Sequence, residues 1–419
     1  REVAIMADLQ GPKIRVGKFA DGKVHLVEGA SFVLDAAREA LGDIEAVGLD
    51  YKELPRDVKA GDVLLLNDGL IVLNVEAVRG AAVHTKVVVG GELSNNKGIN
   101  KQGGGLSAPA LTAKDMDDIK TAMSFQADYL AVSFPKNATD MEMARQLCNV
   151  AAAPYKHTPG LIAKIERAEA ITALPEIIGA SDGIMVARGD LAVEVGNATV
   201  PGLQKRMIRL AREQNKLTIT ATQMMESMIT HPLPTRAEVS DVANAVLDGT
   251  DAVMLSAETA VGKRPVAVVT AMAKVCEEAE RHQANRGLKR VAREDDFLVI
   301  DEAIAMATMY TANHLNVKAI IALTESGATA RWMSRIRTDI PIYAFTRRDE
   351  TRRRVQMYRG VYPVQFDVAQ ENSQALYRDA FKELIGRSAV VPGDLVIFTK
   401  GDMKGVTGGT NAMKILKVS

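Results

Sequence analysis

Apolar runs of strand length alternate with helix-like stretches through the middle of the chain. Five such runs occur between Thr112 and about Glu280, and helical patterns lie between them. The strand candidates are Tyr129–Phe134, Leu161–Glu166, Gly183–Ala187, Leu217–Thr222 and Ala252–Ser256, and the helix candidates include Gly202–Asn215 and Arg236–Leu247. This regular alternation predicts a parallel sheet or a (β/α)₈ barrel.

A sixth strand candidate, Val3–Leu9, lies at the start of the chain and is followed by the turn residues Gly11 and Pro12. Six strands are two fewer than a (β/α)₈ barrel contains. We therefore expect about two βα units to precede Arg1.

Residues 14–107 follow a different pattern, in which short alternating runs are separated by Asp-Gly and Gly-Gly turns. These runs are Lys23–Val27, Val63–Leu66, Ile71–Val75 and Ala82–Val89. Alternation with period two and frequent glycine turns predict a small β-rich domain, either a barrel or a sandwich. The barrel is then expected to comprise residues 1–13 and 108–285.

The last third of the chain has its own alternation of helices and strands. The polar stretch Arg281–Asp296 reads as a linker, and residues 297–419 as a separate α/β domain. Its helix candidates are Asp301–Leu315, Ala328–Arg337, an arginine-rich helix near residue 350 and Ser373–Ile385; its strand candidates are Ala319–Leu323, Ile342–Phe345, Val361–Phe366, Leu395–Thr399 and Met413–Val418.

Composition excludes several classes of function. The chain has 419 residues, and its 52 basic residues equal its 52 acidic ones, so net charge gives no reason to expect a nucleic-acid partner. Its two cysteines, Cys148 and Cys276, offer neither a disulfide framework nor a metal-ligand spacing, which favours a cytoplasmic location. No apolar run is long enough to cross a bilayer, so we expect no membrane partner.

Charged side chains follow two predicted strands of the central region. Lys164 and Glu166 are two residues apart in one strand and therefore point the same way, and Asp190 follows the next strand. Carboxylate oxygens suit Mg²⁺, and Mg²⁺ beside a lysine suits a phosphate group. The alternative is that these are solvated charges at strand ends.

Other predicted strand ends of the central region are also polar. Together with the three residues above, the candidates are Asp8, Ser133, Gly189, Thr222, Ser256 and Glu258. Reactive groups of barrels cluster at such ends. No P-loop motif is present, so a phosphoryl-transfer enzyme built on this chain has to use metal and lysine on a barrel.

Six motifs in order resemble those of pyruvate kinases. They are Gly-Pro-Lys-Ile-Arg from Gly11, Lys-Ile-Glu-Arg from Lys164, Met-Val-Ala-Arg-Gly-Asp-Leu from Met185, Thr-Ala-Thr-Gln-Met-Met from Thr220, Pro-Thr-Arg-Ala-Glu from Pro234 and Asp-Gly-Thr-Asp-Ala-Val-Met-Leu-Ser-Ala-Glu from Asp248. The resemblance covers the whole chain. It implies a (β/α)₈ barrel interrupted by a β-rich lid, a C-terminal α/β effector domain, and phosphoryl transfer from phosphoenolpyruvate to ADP, giving pyruvate and ATP in glycolysis.

The same resemblance implies a role for individual residues of the barrel. Glu166 and Asp190 would ligate Mg²⁺, which Mn²⁺ could replace, and Gly189 would offer its backbone to the substrate carboxylate. Lys164 would stabilise charge on the phosphoryl group and on the enolate. Thr222 would bind substrate and help to deliver the proton to the enol carbon.

For the nucleotide, the resemblance implies that Arg15 and Lys97 contact the phosphates. The chain departs from many family members around Asp8, Leu9 and Lys13, where relatives that need K⁺ have a glutamate at the position of Lys13. The lysine ammonium can supply the charge of K⁺, so we predict activity without K⁺. An arginine that grips the substrate phosphate and an Asn-x-Ser group, both typical of the family's first barrel strands, lie outside this sequence.

The C-terminal domain contains a candidate effector site, formed by Thr324, Ser326, Gly327 and Thr329 where a strand leads into a helix. The alternative is that these residues merely cap the helix. The arginines from 347 to 354 could complete the site, form a solvated face or contact another subunit. The loop Gly401–Thr410 is similar to the family's effector loop but departs from the pattern that binds fructose 1,6-bisphosphate. We therefore expect a phosphorylated effector that is a sugar monophosphate or AMP, and family resemblance implies a homotetramer.

Two other functions are compatible with parts of the pattern. A metal-dependent aldolase on a related barrel would use the Glu and Asp pair but would not explain the lid, Arg15 or Lys97. A non-enzymatic sensor of phosphorylated metabolites would need only the C-terminal domain, and Lys164, Glu166, Asp190 and Thr222 argue against it.

Overall fold

The computed structural model describes residues 2–284, 297, 299–367, 373–402 and 408–419. The chain divides into two compact units. We call residues 7–210 with 220–223 the N-terminal unit, and residues 1–6, 211–219 and 224–419 the C-terminal unit.

Strands are numbered β1–β19 along the described part of the chain. They are Met6–Asp8 (β1), Lys23–Leu26 (β2), Ser31–Asp35 (β3), Ala46–Gly48 (β4), Val63–Leu66 (β5), Ile71–Arg79 (β6), Ala82–Val89 (β7), Gly91–Ser94 (β8), Ile99–Lys101 (β9), Tyr129–Val132 (β10), Gly160–Ile165 (β11), Gly183–Ala187 (β12), Leu217–Ala221 (β13), Ala252–Val253 (β14), Val317–Leu323 (β15), Ile342–Thr346 (β16), Val361–Gln365 (β17), Leu395–Gly401 (β18) and Thr410–Lys417 (β19).

Helices are numbered α1–α14 in the same way. They are Leu54–Asp57 (α1), Ala113–Ser124 (α2), Ala138–Ala152 (α3), Ala168–Thr172 (α4), Leu174–Ala180 (α5), Arg188–Val195 (α6), Val200–Glu213 (α7), Arg236–Asp248 (α8), Ala257–Ala260 (α9), Pro265–Ala284 (α10), Ile300–His314 (α11), Ala328–Ser334 (α12), Asp349–Arg354 (α13) and Ser373–Gly386 (α14). Three single turns of 3₁₀ helix occupy Ala153–Tyr155, Glu226–Ile229 and Val355–Met357.

The six strands predicted for the barrel form one sheet with the order β1-β10-β11-β12-β13-β14. Strands β10, β11 and β12 pair in parallel, with Leu130 opposite Leu161 and Ala163 opposite Ile184. Every residue of β10 and β12 is buried. Burial on both faces explains why these strands read as continuous apolar runs.

The outer strands of this sheet are shorter than the sequence pattern predicts. The first begins at Met6, whereas Val3–Leu9 is predicted, and Val3 and Ile5 are exposed. Strand β14 ends at Val253, whereas Ala252–Ser256 is predicted. Strand β10 ends before Phe134, whose φ of 56° is incompatible with an extended strand. Apolar runs in the sequence therefore extend beyond the residues that pair with a neighbouring strand.

Residues 14–107 are rich in strands, as predicted. A six-stranded sheet has the order β4-β3-β7-β6-β5-β9, and β2 pairs with β8. Alternate residues of the strands face one apolar core that includes Phe32, Leu34, Leu64, Leu66 and Leu73.

The C-terminal sheet has the order β17-β16-β15-β18-β19, in which only β18 and β19 pair antiparallel. Its core contains Ile321, Phe345, Val364 and Phe398. The predicted linker starts too early, because residues 281–284 belong to the last turn of α10; its residues 285–296 lie outside the described ones. Among the described helices, none is both long and apolar enough to span a bilayer.

Candidate active site

The ends of β1, β10 and β11 surround the ammonium group of Lys164. Its Nζ lies 3.1 Å from Asp8 Oδ1 and 3.1 Å from Glu166 Oε1, and it donates a hydrogen bond to Ser133 Oγ at 2.8 Å. Burial alone would lower the pKa of Lys164, but Glu166 and Asp8 outweigh it and raise the pKa. The lysine is therefore a fixed, largely buried cation, and the alternative of solvated strand-end charges is wrong for this group.

Glu166 is one of the most enclosed carboxylates of the N-terminal unit. Its side chain is 2% exposed, and Oε2 accepts the backbone N–H of Phe134 at 2.9 Å. Burial raises the pKa of Glu166 to about 7, Lys164 opposes this rise, and Asp190 adds to it by charge repulsion. A cation near both carboxylates would remove that repulsion.

Strand β12 leads directly into α6, which begins at Arg188 and carries Asp190 in its first turn. The N–H of Gly189 donates to Thr222 Oγ1 at 2.9 Å, and that hydroxyl donates to Ala221 O at 2.7 Å. The structure therefore brings together the predicted substrate-binding residues Gly189, Asp190 and Thr222.

Thr222 adopts a left-handed conformation, with φ of 67°. For a β-branched residue this costs about 1–2 kcal/mol, so surrounding contacts have to hold it. Arg188 supplies two of them, since its Nη2 donates to Thr222 O at 2.8 Å and its Nε to Ala221 O at 3.2 Å. The sequence reasoning contained Arg188 within a motif but assigned it no role.

Glu166 and Asp190 form an oxygen donor pair that fits a hard divalent cation. Among the described residues there is no group of three or more His, Cys, Asp or Glu side chains placed to hold a metal ion. Mg²⁺ commonly binds through one or two carboxylates and fills its other positions with water and substrate phosphate oxygens. Glu166, which contacts Lys164, and Asp190, which repels Glu166, could serve as two such carboxylates.

Lys13 lies beside this pair, with its Nζ 4.0 Å from Asp190 Oδ1. Asp8 instead contacts Lys164, and Leu9 is buried, with its carbonyl oxygen accepting a hydrogen bond from Ser133 Oγ. The three residues predicted for the monovalent-ion region thus have different partners, and the positive charge of Lys13 is directed toward Asp190.

Arg15 and Lys97, the predicted nucleotide contacts, lie on neighbouring backbone segments of the β-rich region. Arg15 forms an isolated antiparallel bridge with Gly98, and the N–H of Val16 donates to Lys97 O at 2.9 Å. Arg15 Nη1 also donates to Asn96 O at 3.3 Å. The two cationic side chains therefore extend from adjacent positions.

Two strand-end candidates, Ser256 and Glu258, belong to the C-terminal unit. Glu258 is buried, and its carboxylate accepts the backbone N–H groups of Met225 at 3.1 Å and Ser256 at 2.7 Å. This carboxylate holds two loop segments in place.

Arg167 and Glu194 are buried charged residues that sequence reasoning missed. Arg167 lies over the ring of Phe134 at 5.5 Å and donates to Leu106 O at 3.1 Å. Glu194 accepts the N–H of Ala168 at 2.8 Å. Arg167 directly follows Glu166 at the end of a predicted strand, and this position could have marked it as a candidate site residue. No pattern in the sequence marks Glu194.

The predicted effector residues lie where β15 leads into α12. The N–H of Gly327 donates to Thr324 Oγ1 at 2.9 Å, and the hydroxyls of Thr329 and Thr410 are 2.6 Å apart. The N-terminal cap residue of α12 is Gly327, with φ of 82°, which has no side chain of its own to cap the helix. The hydroxyl of Ser326 accepts the N–H of Ala328, the first residue of α12, at 3.4 Å, so the capping alternative accounts for Ser326. It does not account for Thr329, whose hydroxyl contacts that of Thr410. Residues 403–407 of the predicted effector loop are outside the described ones.

The arginine run divides into two parts. Arg347 and Arg348 pair with Glu325, at 3.5 Å and 2.9 Å, beside the predicted effector residues. Arg352 is buried in ion pairs with Glu2 and Asp349, both at 2.7 Å. The run is therefore neither a uniform solvated face nor one ligand site.

Comparisons with known proteins agree along the whole chain. The family model described as the pyruvate kinase barrel domain matches residues 1–269, and that of the pyruvate kinase alpha/beta domain matches residues 302–416. Pyruvate kinase II of Salmonella typhimurium is 54% identical over 423 residues, covering 100% of this chain and 87% of that protein. A pyruvate kinase of Haemophilus influenzae is 51% identical over 406 residues, covering 96% and 84%.

A solved structure gives the same result. The crystal structure of a pyruvate kinase from Cryptosporidium parvum superposes with a TM-score of 0.89 at 33% identity, covering 100% of this chain and 84% of that one. The expected fold, a pyruvate kinase barrel followed by an α/β domain, is confirmed, and neither the aldolase nor the sensor hypothesis is favoured. The chain belongs to the pyruvate kinase family.

Proposed function

We propose that this chain transfers the phosphoryl group of phosphoenolpyruvate to ADP with the help of Mg²⁺ bound by Glu166 and Asp190. The observation that carries the proposal is the Lys164 ammonium, held within 3.1 Å of both Asp8 and Glu166 at the strand ends. Phosphoryl transfer needs little covalent chemistry from the protein. It needs fixed positive charge around a dispersed negative charge.

In this proposal Lys164 stabilises the negative charge of the phosphoryl group in transit and then of the enolate oxygen. Its position is fixed before substrate binds, so no reorganisation is required during the reaction. Mg²⁺, when bound, supplies Lewis-acid stabilisation of the phosphoryl and enolate oxygens. Mn²⁺ has similar oxygen preferences and could replace it.

Gly189 and Thr222 are proposed to bind the substrate. The Gly189 N–H already points at the Thr222 hydroxyl, so an incoming carboxylate would compete for that donor. In this proposal Thr222 helps to deliver a proton to the enol carbon, and Arg188 donates to its backbone carbonyl and supports its left-handed conformation. Arg15 and Lys97 are proposed to bind the ADP phosphates, as paired cations on adjacent segments.

The test is Lys164→Met in the full-length protein, with pyruvate formation followed in the presence of phosphoenolpyruvate, ADP and Mg²⁺. We expect kcat to fall by roughly a thousandfold or more, since electrostatic stabilisation of this kind supplies several kcal/mol. The control is Lys120→Met, which removes an exposed lysine of the same unit. Absence of pyruvate formation by the unmodified protein, or normal turnover of Lys164→Met, contradicts the proposal.

We also propose that a phosphorylated effector, a sugar monophosphate or AMP, binds at Thr324, Ser326, Gly327 and Thr329. Support comes from Ser326, which is exposed at the start of α12, and from Arg348, which pairs with Glu325 beside this segment. Ser326→Asp adds a negative charge there and should abolish activation by glucose 6-phosphate, ribose 5-phosphate or AMP without changing basal kcat. Unaltered activation contradicts the site.

A further inference from the structure

The chain between β9 and α2 contains three consecutive glycines in left-handed conformations. Gly103, Gly104 and Gly105 have φ angles of 79°, 77° and 92°, a region that residues with a β-carbon rarely enter. This glycine loop, residues 103–105, lies where the chain leaves the six-stranded sheet of the β-rich region and continues toward β10 of the barrel sheet. Its conformation therefore helps to set how the two parts are joined.

Glu169 contacts this loop from the barrel side. It lies in the first turn of α4, three residues after Glu166, and its Oε1 accepts the N–H of Gly105. Its Oε2 is buried, and a β-carbon added at Gly104 would lie 2.5 Å from this oxygen. Both carboxylate oxygens are therefore fitted to the glycine loop, and the fit requires that position 104 carries no side chain.

Two further hydrogen bonds join the same segment to residues that follow barrel strands. The N–H of Gly103 donates to the backbone oxygen of Glu194 at 3.0 Å, and Arg167 Nη1 donates to Leu106 O at 3.1 Å. The first of these bonds survives any substitution of the Glu194 side chain. Arg167 also packs over an aromatic ring of the barrel, so its removal would disturb more than the loop. Glu169 is thus the contact that a substitution removes most selectively.

The simplest interpretation is that Glu169 only stabilises the loop. The flanks of the loop indicate a further consequence, because both are bonded to the β-rich region. The N–H of Gln102 donates to Val63 O at 3.0 Å, and the N–H of Ser107 donates to Asp57 Oδ2 at 2.7 Å. A shift of the loop is therefore passed on to that region.

The proposed nucleotide contacts lie close to the loop along the chain. Lys97 and Gly98 immediately precede β9, which ends just before the loop, and Arg15 is bridged to Gly98. Lys164 belongs to β11, the strand that leads to α4 and Glu169. Glu169 therefore connects the strand that carries Lys164 with the segment that carries the nucleotide contacts.

From these contacts we infer that Glu169 is a positioning residue, which sets the place of Arg15 and Lys97 relative to Lys164 through the glycine loop. The inference rests on the proposed phosphoryl transfer and on its proposed nucleotide contacts. Phosphoenolpyruvate is proposed to bind barrel residues alone. Loss of Glu169 should therefore impair the use of ADP and spare the binding of phosphoenolpyruvate.

Steady-state kinetics of the full-length protein, with ADP and phosphoenolpyruvate varied in turn, test the inference. Glu169→Ala should raise KM for ADP about tenfold and leave KM for phosphoenolpyruvate within about twofold, because a small misplacement of one reactant is costly. Glu169→Gln keeps an oxygen acceptor for the N–H of Gly105 and should restore KM for ADP to within about twofold of the unmodified protein. Glu176→Ala, at an exposed glutamate of α5, is the control and should change neither constant.

The glycines provide a matched pair of variants that leave Glu169 in place. Gly103→Ala and Gly104→Ala impose the same cost of a left-handed alanine. A β-carbon at Gly103 would meet no described atom within 4 Å apart from its chain neighbours, whereas one at Gly104 meets Glu169. We therefore expect Gly104→Ala alone to raise KM for ADP, and to raise it no further when combined with Glu169→Ala. A general loss of stability would affect the two glycine variants equally.

The outcomes separate this inference from the proposed function. In an active protein, equal increases in both KM values for Glu169→Ala, or no increase in either, would overturn the inference. Equal effects of Gly103→Ala and Gly104→Ala on KM for ADP would also overturn it. Absence of pyruvate formation by the unmodified protein would refute the proposed function, and the inference with it.

Discussion

Lys13 shows how one side chain can change the ion requirement of a site. Its ammonium lies 4.0 Å from Asp190, one of the two proposed Mg²⁺ ligands. A covalently attached cation at this position supplies positive charge at no cost of ion binding. We propose that it takes the place of a bound K⁺.

The corresponding prediction concerns activity without monovalent cations. At constant ionic strength, replacing K⁺ with tetramethylammonium should change kcat by less than twofold in the unmodified protein. Lys13→Glu should lower activity and make the remainder depend on K⁺. A large loss of activity on removal of K⁺ from the unmodified protein would refute the assignment.

Glu194 is a second residue whose environment changes a property of its side chain, in this case the pKa. It is 6% exposed, and burial raises its pKa from 4.5 to about 7; the N–H of Ala168 opposes the rise, and Glu169 adds to it. The folded chain therefore holds this proton between pH 4.5 and 7, where the unfolded chain has lost it. Stability from this group falls as pH rises through that window and is fully lost above it.

We therefore expect Glu194→Gln to be more stable than the unmodified protein at pH 8, by about 1–3 kcal/mol, and nearly equal at pH 5. Denaturant unfolding at several pH values measures the difference. Glu176→Gln, an exposed glutamate of α5, is the control and should give a flat difference. A difference that grows toward low pH would contradict the sign of the shift.

At the scale of elements, Asp251 links β13, the residue that follows α12 and the segment before β17 within the C-terminal unit. Its Oδ2 accepts the N–H of Thr218 at 2.9 Å and Arg335 Nη1 at 2.8 Å, and its Oδ1 accepts the N–H of Arg359 at 3.2 Å. The side chain of Asp251 is 0% exposed and that of Arg335 is 6% exposed. Removal of either charge leaves the other buried without its partner.

Asp251→Ala should destabilise the unit by about 3–5 kcal/mol, because an uncompensated buried guanidinium remains. Arg335→Met should cost a similar amount, and the double variant less than the sum. A double-mutant cycle on the exposed pair Arg387 and Glu383 is the control. We expect its coupling free energy to be less than about 1 kcal/mol. Additive losses at Asp251 and Arg335 would show that the pair is not coupled.

Most elements of this fold can be predicted from periodicity. Strands β5, β7 and β12 have the predicted bounds, because each is an apolar or alternating run closed by a turn or by charge. The ends of β1 and β14 could not be predicted. Where a strand stops pairing depends on its neighbour in the sheet, and the local sequence does not record that.

At the scale of the whole molecule, the C-terminal unit exposes apolar side chains on and before α10. Leu233, Val261, Val266 and Val269 are 74%, 75%, 79% and 52% exposed. Large exposed apolar patches are typical of subunit contacts. We propose that these side chains contribute to the subunit contacts of the homotetramer that the family resemblance implies.

Light scattering of the full-length protein should therefore give four times the monomer mass. Val266→Asp places a charge among these side chains and should produce smaller species, whereas Val150→Asp, at an equally exposed position of α3, should not. A monomer mass at micromolar concentration would exclude the tetramer.

The sequence by itself determined the family, the alternation of elements and the candidate site residues Lys164, Glu166 and Asp190, because these depend on local periodicity and on short ordered motifs. Only the tertiary structure decided how these groups are charged and held: Lys164 between two carboxylates, Thr222 in a left-handed conformation, and Glu169 against the glycine loop. Burial and partners from distant parts of the chain set these properties. They arise only when the strands and helices pack together.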